Sequence, residues 1–218
     1  MDKFENLMKN PKILILLFLF PIISLRATPT DSISTTYRDG EFVSYCQVWV
    51  KTSDHISHSV TTDFVHQMRY DLDALFGWAL KGMNLRREKN DLMVFDFKST
   101  SYNKETGVIR GIGDVIVPNV TTIPNITVDS RLTQRDLSNG KNEVYIDLLS
   151  SNVFLKKMVG TFSVVPRKNR GAWYTLETHV RFGWFFNIFI TQKRFKTIME
   201  WRLRKFVNNI KEEAERRN

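Results

Sequence analysis

From Phe195 to Ala214 the apolar residues Phe195, Met199, Leu203, Phe206, Ile210 and Ala214 recur three and four positions apart. That period puts them on one stripe and predicts a long helix over 186–215, with Lys193, Arg194, Lys196, Arg202, Arg204, Lys205 and Lys211 on its solvated side. A stripe of this length needs a broad apolar surface to lie on. Upstream, the pattern supplies one. Residues 41–51 run Phe-Val-Ser-Tyr-Cys-Gln-Val-Trp-Val through their centre, aromatic and β-branched, and predict a first strand. Ser57 to Thr62 offers helix-cap residues, and Asp63 to Lys81 carries Phe64, Val65, Met68, Leu72, Leu75, Phe76, Ala79 and Leu80 at helical spacing. This predicts one helix ending at Gly82, or two shorter ones broken near Gly77.

Beyond the charged break at 86–91 the period changes to two. Strands are predicted over 92–100 and 108–117, joined by a turn at 103–107. Gly111 and Gly113 within the second imply a bend or a close backbone approach. Segments 126–135 and 142–149 form a hairpin whose register follows from the side chains. A two-residue loop would set Leu132 opposite Asp147, whereas the three-residue loop Ser138-Asn139-Gly140 pairs Leu132 with Ile146 and Gln134 with Val144, with Gly140 left-handed. Further strands are predicted over 158–166 and 173–182. In the latter, Tyr174, Leu176, Thr178, Val180 and Phe182 face one way and Thr175, Glu177, His179 and Arg181 the other.

The order is a strand, a helical segment, six more strands joined mostly by hairpins, and a long final helix, which defines an α+β fold. With these elements in place, residues 41–216 resemble the START-like (SRPBCC) helix-grip superfamily of polyketide cyclases, Bet v 1 and lipid-transfer proteins. The resemblance rests on element order and the closing helix, not on a short signature, and the Gly-rich loop of some members is not evident. It implies a curved seven-stranded antiparallel sheet wrapped around the C-terminal helix. A TATA-binding-protein-like sheet is the rival plan, but it uses fewer strands.

Composition adds a compartment. Lys3, Lys9 and Lys12 precede the apolar run 13–25, which is shorter than the ~20 residues of a membrane-spanning helix. Residues 1–27 therefore read as a secretory signal peptide with Ala27 before the cut, an uncleaved anchor being the alternative. Residues 28–40, rich in Thr, Ser and Asp, read as a linker to a domain over 41–218. The single cysteine, Cys46, excludes an internal disulfide, and an exported chain of this kind suits a bacterial periplasm or envelope. The formal charge of +9 falls to +7 without residues 1–27, and much of the excess lies on the final helix. Export argues against nucleic acid as the partner of this basic strip, although anionic lipid would suit it.

A sheet gripping a helix can leave an apolar gap. On the concave side the pattern places Phe95, Phe97, Tyr145, Phe162, Tyr174, Phe182, Met199 and Phe206 as candidate ligand-lining residues; the alternative for each is plain core packing. Trp184 and Phe185, in the aromatic stretch 183–190, are candidates for a gate or a membrane contact, with burial against the helical segment 63–81 as the alternative; exposure of both favours the contact and packing of both removes it. His179 between Glu177 and Arg181 could serve acid-base chemistry only if that face looked into a pocket, and the alternation turns it away. His55 and His58 beside Asp54 are a weak metal pattern. No phosphate loop, catalytic triad order, paired-cysteine motif or cofactor signature is present. The expected function is carriage of a hydrophobic or amphipathic small molecule. A cyclase-like or hydrolase-like enzyme and an interaction module with a filled interior are the alternatives.

Overall fold

The computed structural model describes residues 31–218 except 83–93, 118–119, 138–139, 168–170 and 189; the predicted signal segment lies outside the described residues. In chain order the elements are β1 (Ser32–Arg38), β2 (Glu41–Val50), α1 (Asp54–Tyr70), α2 (Leu72–Gly77), β3 (Val94–Asn103), β4 (Val108–Val117), β5 (Thr121–Asp136), β6 (Asn142–Leu148), β7 (Leu155–Arg167), β8 (Gly171–Phe182), α3 (Trp184–Asn187) and α4 (Gln192–Arg216). The strands make one eight-stranded sheet in the order β1-β2-β8-β7-β6-β5-β4-β3. Every neighbouring pair is antiparallel.

Two expectations need correction. The sheet has eight strands, not seven, because the stretch 28–40 read as a linker contains β1. Its Ser and Thr residues look like a linker, but Ser32 to Arg38 pairs residue by residue with Gln47 to Glu41. The turn is Asp39-Gly40, with φ of 53° and 79°, the left-handed pair that a two-residue hairpin requires. The first helix also begins nearer the N-terminus than expected. Ser53 is its cap and accepts from the Ile56 amide at 3.3 Å, whereas Ser57 and Thr61 are buried inside the helix. They are held there by bonds invisible in the local pattern. The Tyr174 hydroxyl on β8 donates to Ser57 Oγ at 3.2 Å, and Thr61 donates to the Ser57 carbonyl at 2.8 Å. Of the two helical alternatives the chain adopts two helices, but the break falls at Asp71, which ends α1 and accepts from the Ala74 amide to start α2, whereas Gly77 ends α2.

The β5–β6 hairpin has the predicted register, with Leu132 opposite Ile146, Gln134 opposite Val144, and Gly140 at φ 77°. Bulges interrupt β3 between Phe97 and Ser99, β4 between Gly113 and Val115, and β7 between Leu155 and Lys157. Such irregularities bend a sheet.

α4 packs chiefly on β1 and β2, and α1 crosses β6, β7 and β8. The core divides into two aromatic clusters along α4. At its C-terminal half, Leu203, Phe206, Val207 and Ile210 meet Phe64 of α1 and Phe162 and Tyr174 of the sheet. At its N-terminal end, Phe195 meets Phe42, Phe182 and Phe186. Burying each such side chain is worth roughly 1.5–3 kcal/mol, so the helix is fastened at both ends. Within the first cluster the ring centroids of Phe64, Phe162 and Phe206 lie 5.7–6.0 Å apart. Within the second, Phe195 lies 3.9 Å from Phe42 and 5.4 Å from Phe182.

Gly113 marks the tightest constraint on the bend, because a Cβ there would sit 2.3 Å from the Asp96 carbonyl oxygen of β3. Gly113→Ala should therefore lower the urea midpoint by the equivalent of about 2–3 kcal/mol, as overpacking against rigid backbone does. An unchanged midpoint would show that the β3–β4 pair is not as close as described.

Candidate functional site

Between the two clusters, one inward-facing row crosses the sheet with small side chains. In register it runs Thr35 (β1), Ser44 (β2), Thr178 (β8), Gly160 (β7), Ile146 (β6) and Leu132 (β5). Thr35 and Ser44 are buried and joined, the Thr35 hydroxyl donating to Ser44 Oγ at 3.0 Å. The Thr35 amide donates to Glu200 Oε1 at 3.0 Å, which fixes the level at which α4 crosses this row. Met199, the neighbouring stripe residue, is only partly buried.

Across the middle strands the row carries little side-chain volume. Among the described residues a Cβ on Gly160 would meet only the Ile146 Cβ, at an ordinary contact distance of 3.9 Å, so the position has room for a side chain that it lacks. Met158, Thr178, Val180 and Ile146 are all partly accessible although they stand on interior strands and face inward. Partial accessibility at the centre of an otherwise close-packed core is uncommon. This lightly filled row lies between the two aromatic clusters, centred on Gly160 and Thr178, with Met158 next to Gly160 along the same face of β7.

The predicted lining residues separate into groups. Phe162, Tyr174, Phe182 and Phe206 are 0–7% exposed and belong to the clusters, so they form the walls. Phe95 and Met199 are partly buried at the margin of the second cluster. Phe97 is 48% exposed on the edge strand, its ring lying over Gly111, where a Cβ would come within 3.0 Å. Tyr145 does not face inward. Val144 and Ile146 take the concave positions of β6, and strict alternation turns Tyr145 to the outer face.

Trp184 and Phe185 are not exposed together. Trp184 is 74% exposed, but Phe185 packs against the second cluster, and the exposed companion of Trp184 is Ile188 at 67%. Val153, 46% exposed, adjoins them, because its carbonyl oxygen closes over Gly183. A separate open depression of about 290 Å³ lies between β1 and the start of α4, bordered by Thr35, Tyr37, Phe42, Gln192, Lys193 and Lys196.

The ionic chemistry is on the other side of the sheet. His179 Nδ1 lies 2.8 Å from Glu41 Oε1 and its Nε2 lies 2.8 Å from Glu177 Oε1. Glu41 also accepts from Lys157 at 2.9 and 3.0 Å, with Arg181 at 3.5 Å. With a carboxylate at each ring nitrogen the pKa of His179 is raised, first by Glu177 and then by Glu41, against the cost of burial. Glu41 is lowered, mainly by Lys157 and less by His179. As the alternation implied, this group faces away from the inward-facing row. His58 approaches Asn142 at 3.2 Å and Asp136 at 4.0 Å, and His55 is exposed. Among the described residues no three metal-ligating side chains converge.

An eight-stranded antiparallel sheet packed against a long C-terminal helix is the helix-grip architecture of the START-like and Bet v 1 proteins. The Zhui aromatase/cyclase from Streptomyces sp. R1128 superposes with a TM-score of 0.51 at 12% identity, covering 81% of this chain and 95% of that one. A START superfamily protein from Mycobacterium smegmatis gives a TM-score of 0.48 at 11% identity, covering 81% and 99%. Norcoclaurine synthase from Thalictrum flavum gives 0.45 at 14%, covering 84% and 96%. At these identities the likeness is one of fold alone. No protein-family model and no curated protein matches the sequence.

The charge cluster has a definite pH signature. A histidine whose folded pKa is raised contributes stability below its ordinary value of 6.5 and loses that contribution as pH rises through the folded value. Glu41, being lowered, contributes above 4.5 and loses its share as pH falls further. The cluster should therefore stabilise most between these limits. An NMR titration should place the His179 midpoint above 6.5, and Glu177→Gln should move it down. A midpoint at or below 6.5 in the parent protein would contradict the two-carboxylate geometry.

Proposed function

We propose that this protein carries a hydrophobic or amphipathic small molecule in the hollow over Gly160, between the sheet and α4. The observation that supports it most directly is the partly accessible, inward-facing row at Met158, Gly160, Thr178 and Val180 in the middle of the sheet. Helix-grip proteins commonly use this interior for apolar ligands, and a START superfamily protein is among the structural matches. The polar groups able to transfer protons, His179 with Glu41 and Glu177, stand on the outer face, so a cyclase-like activity draws no support from them. The lysines followed by the apolar run 13–25 support export to a bacterial periplasm or envelope.

Carriage requires a place to load. Trp184 and Ile188, four residues apart, present apolar surface, and Lys193, Arg194 and Lys196 follow on the first turns of α4. Aromatic and aliphatic tips with adjacent cations suit contact with an anionic bilayer. Trp184→Ala combined with Ile188→Ser should reduce co-sedimentation with phosphatidylglycerol vesicles several-fold while leaving the melting temperature within about 2 °C, since exposed sites change stability little. Equal sedimentation of parent and variant would remove this surface from the proposal.

The carrier reading is tested by isolating the protein from its native envelope and extracting it for mass spectrometry. Apolar or amphipathic molecules should accompany it near stoichiometrically. Gly160→Leu, which fills the hollow, should fold and lose about tenfold of that cargo, equivalent to roughly 1.4 kcal/mol. A protein that emerges empty, and stays empty after incubation with lipid vesicles, would refute carriage and leave the interaction-module alternative.

A further inference from the structure

Thr178 is the anomaly in this row. It lies on β8, an interior strand, with Ser44 on one side and Gly160 on the other. Its Oγ1 is shielded from solvent and, among the described residues, has no hydrogen-bond partner. The hydroxyl two strands away is not left in that condition, since Thr35 donates to Ser44. Valine has nearly the same shape as threonine, favours strands equally and leaves no polar atom unpaired in an apolar setting. Packing alone therefore gives no reason for a threonine here. The position beside it does, because Gly160 adjoins Thr178 in register and, among the described residues, has room for a side chain that it lacks, an added Cβ meeting only Ile146 Cβ at 3.9 Å.

We propose that Thr178 is the polar anchor of the ligand site, its hydroxyl hydrogen-bonding an oxygen function carried by an otherwise apolar molecule. The cargo class is thereby narrowed from hydrophobic molecules in general to amphipathic ones bearing a hydroxyl, carbonyl or carboxyl oxygen at the end that enters the hollow. Oγ1 is shielded as it stands, so reaching it takes a rotamer step of Thr178 itself or of a neighbouring side chain. In the empty protein the hydroxyl goes unpaired, so a ligand that satisfies it gains a bond that a hydrocarbon of the same length cannot make. This assignment rests on the carrier reading and refines it.

The test uses the purified, delipidated protein mixed with equal amounts of dodecane, 1-dodecanol and dodecanoic acid. Gel filtration followed by gas chromatography measures what is retained. The parent protein should retain at least five times more of one oxygenated ligand than of dodecane, and the alcohol and acid arms show whether a neutral or an ionised head is accepted. Thr178→Val should bring that ratio close to one, and Thr178→Ser should keep it. Thr178→Val should also melt no lower than the parent, because the hydroxyl it removes makes no bond within the protein.

Equal retention of all three ligands by the parent overturns the anchor but leaves carriage standing, and needs no variant to be read. A preference that survives Thr178→Val does the same. A clear fall in the melting temperature of Thr178→Val shows that the hydroxyl is satisfied structurally, by an enclosed water, and also overturns the anchor. Retention of none of the three by the parent removes both the anchor and the carrier reading.

Discussion

The structure depends on α4 being held at two separated points. Phe195 is locked among Phe42 and Phe182 at one end, and Phe206 among Phe64 and Phe162 at the other. Edge-on and tilted aromatic contacts of this kind each add about 0.5–1.5 kcal/mol beyond the area they bury. Because the helix is clamped by rings at both ends, the intervening turn at Met199 is spared from packing hard against the sheet. Thr35 and Glu200 then set its height there through a hydrogen bond instead of a bulky side chain. Incomplete burial at the middle of the helix is thus compatible with a well-fastened helix.

The two faces of the sheet divide the chemistry between them. Arg110 with Asp129, Lys98 with Asp114, and His179 with Glu41 and Glu177 all lie on the outer positions of their strands. Exposed pairs of this kind are screened by water and contribute little to stability. Inward, the row between the clusters presents the hydroxyls of Thr35, Ser44 and Thr178, Gly160 and the aliphatic Ile146 and Leu132, with the Glu200 carboxylate engaged by the Thr35 amide at its β1 end. A surface of that kind is suited to distinguishing shape and a single oxygen.

Much of the sheet was legible because period two leaves few choices. Leu132 had to oppose Ile146 if apolar groups were to share a face, and it does. The missed strand had a visible signal in Asp39-Gly40, but its Ser and Thr content suggested a linker before the turn was weighed. The early start of α1 had none, because the bond that buries Ser57 comes from Tyr174, more than a hundred residues away. The site was read less well for a related reason. Aromatic side chains attract attention as lining, yet their volume makes them walls, as Phe162, Tyr174 and Phe206 show. The proposed hollow is marked by what is small, Gly160 within a strand, and a glycine there is a recognised sign of close approach or vacancy. Tyr145 stands on the outer face, as the hairpin register itself requires once Leu132 and Ile146 share the inner one.

Leaving that space has a measurable consequence for the folded state. A valine in place of Gly160 would bury roughly three more methyl or methylene groups, at about 0.8 kcal/mol each, and would join the two clusters into one core. The chain forgoes this at the point where its sheet is most central. Yet both neighbouring clusters are packed without regard to economy of volume, with phenylalanines throughout. A sequence that fills its core so fully on either side and keeps the middle row to Ser44, Thr178 and Gly160 is graded, not loosely packed. A molecule entering that row would supply the missing apolar contacts and stabilise the protein by binding the folded state alone, so occupancy and stability rise together.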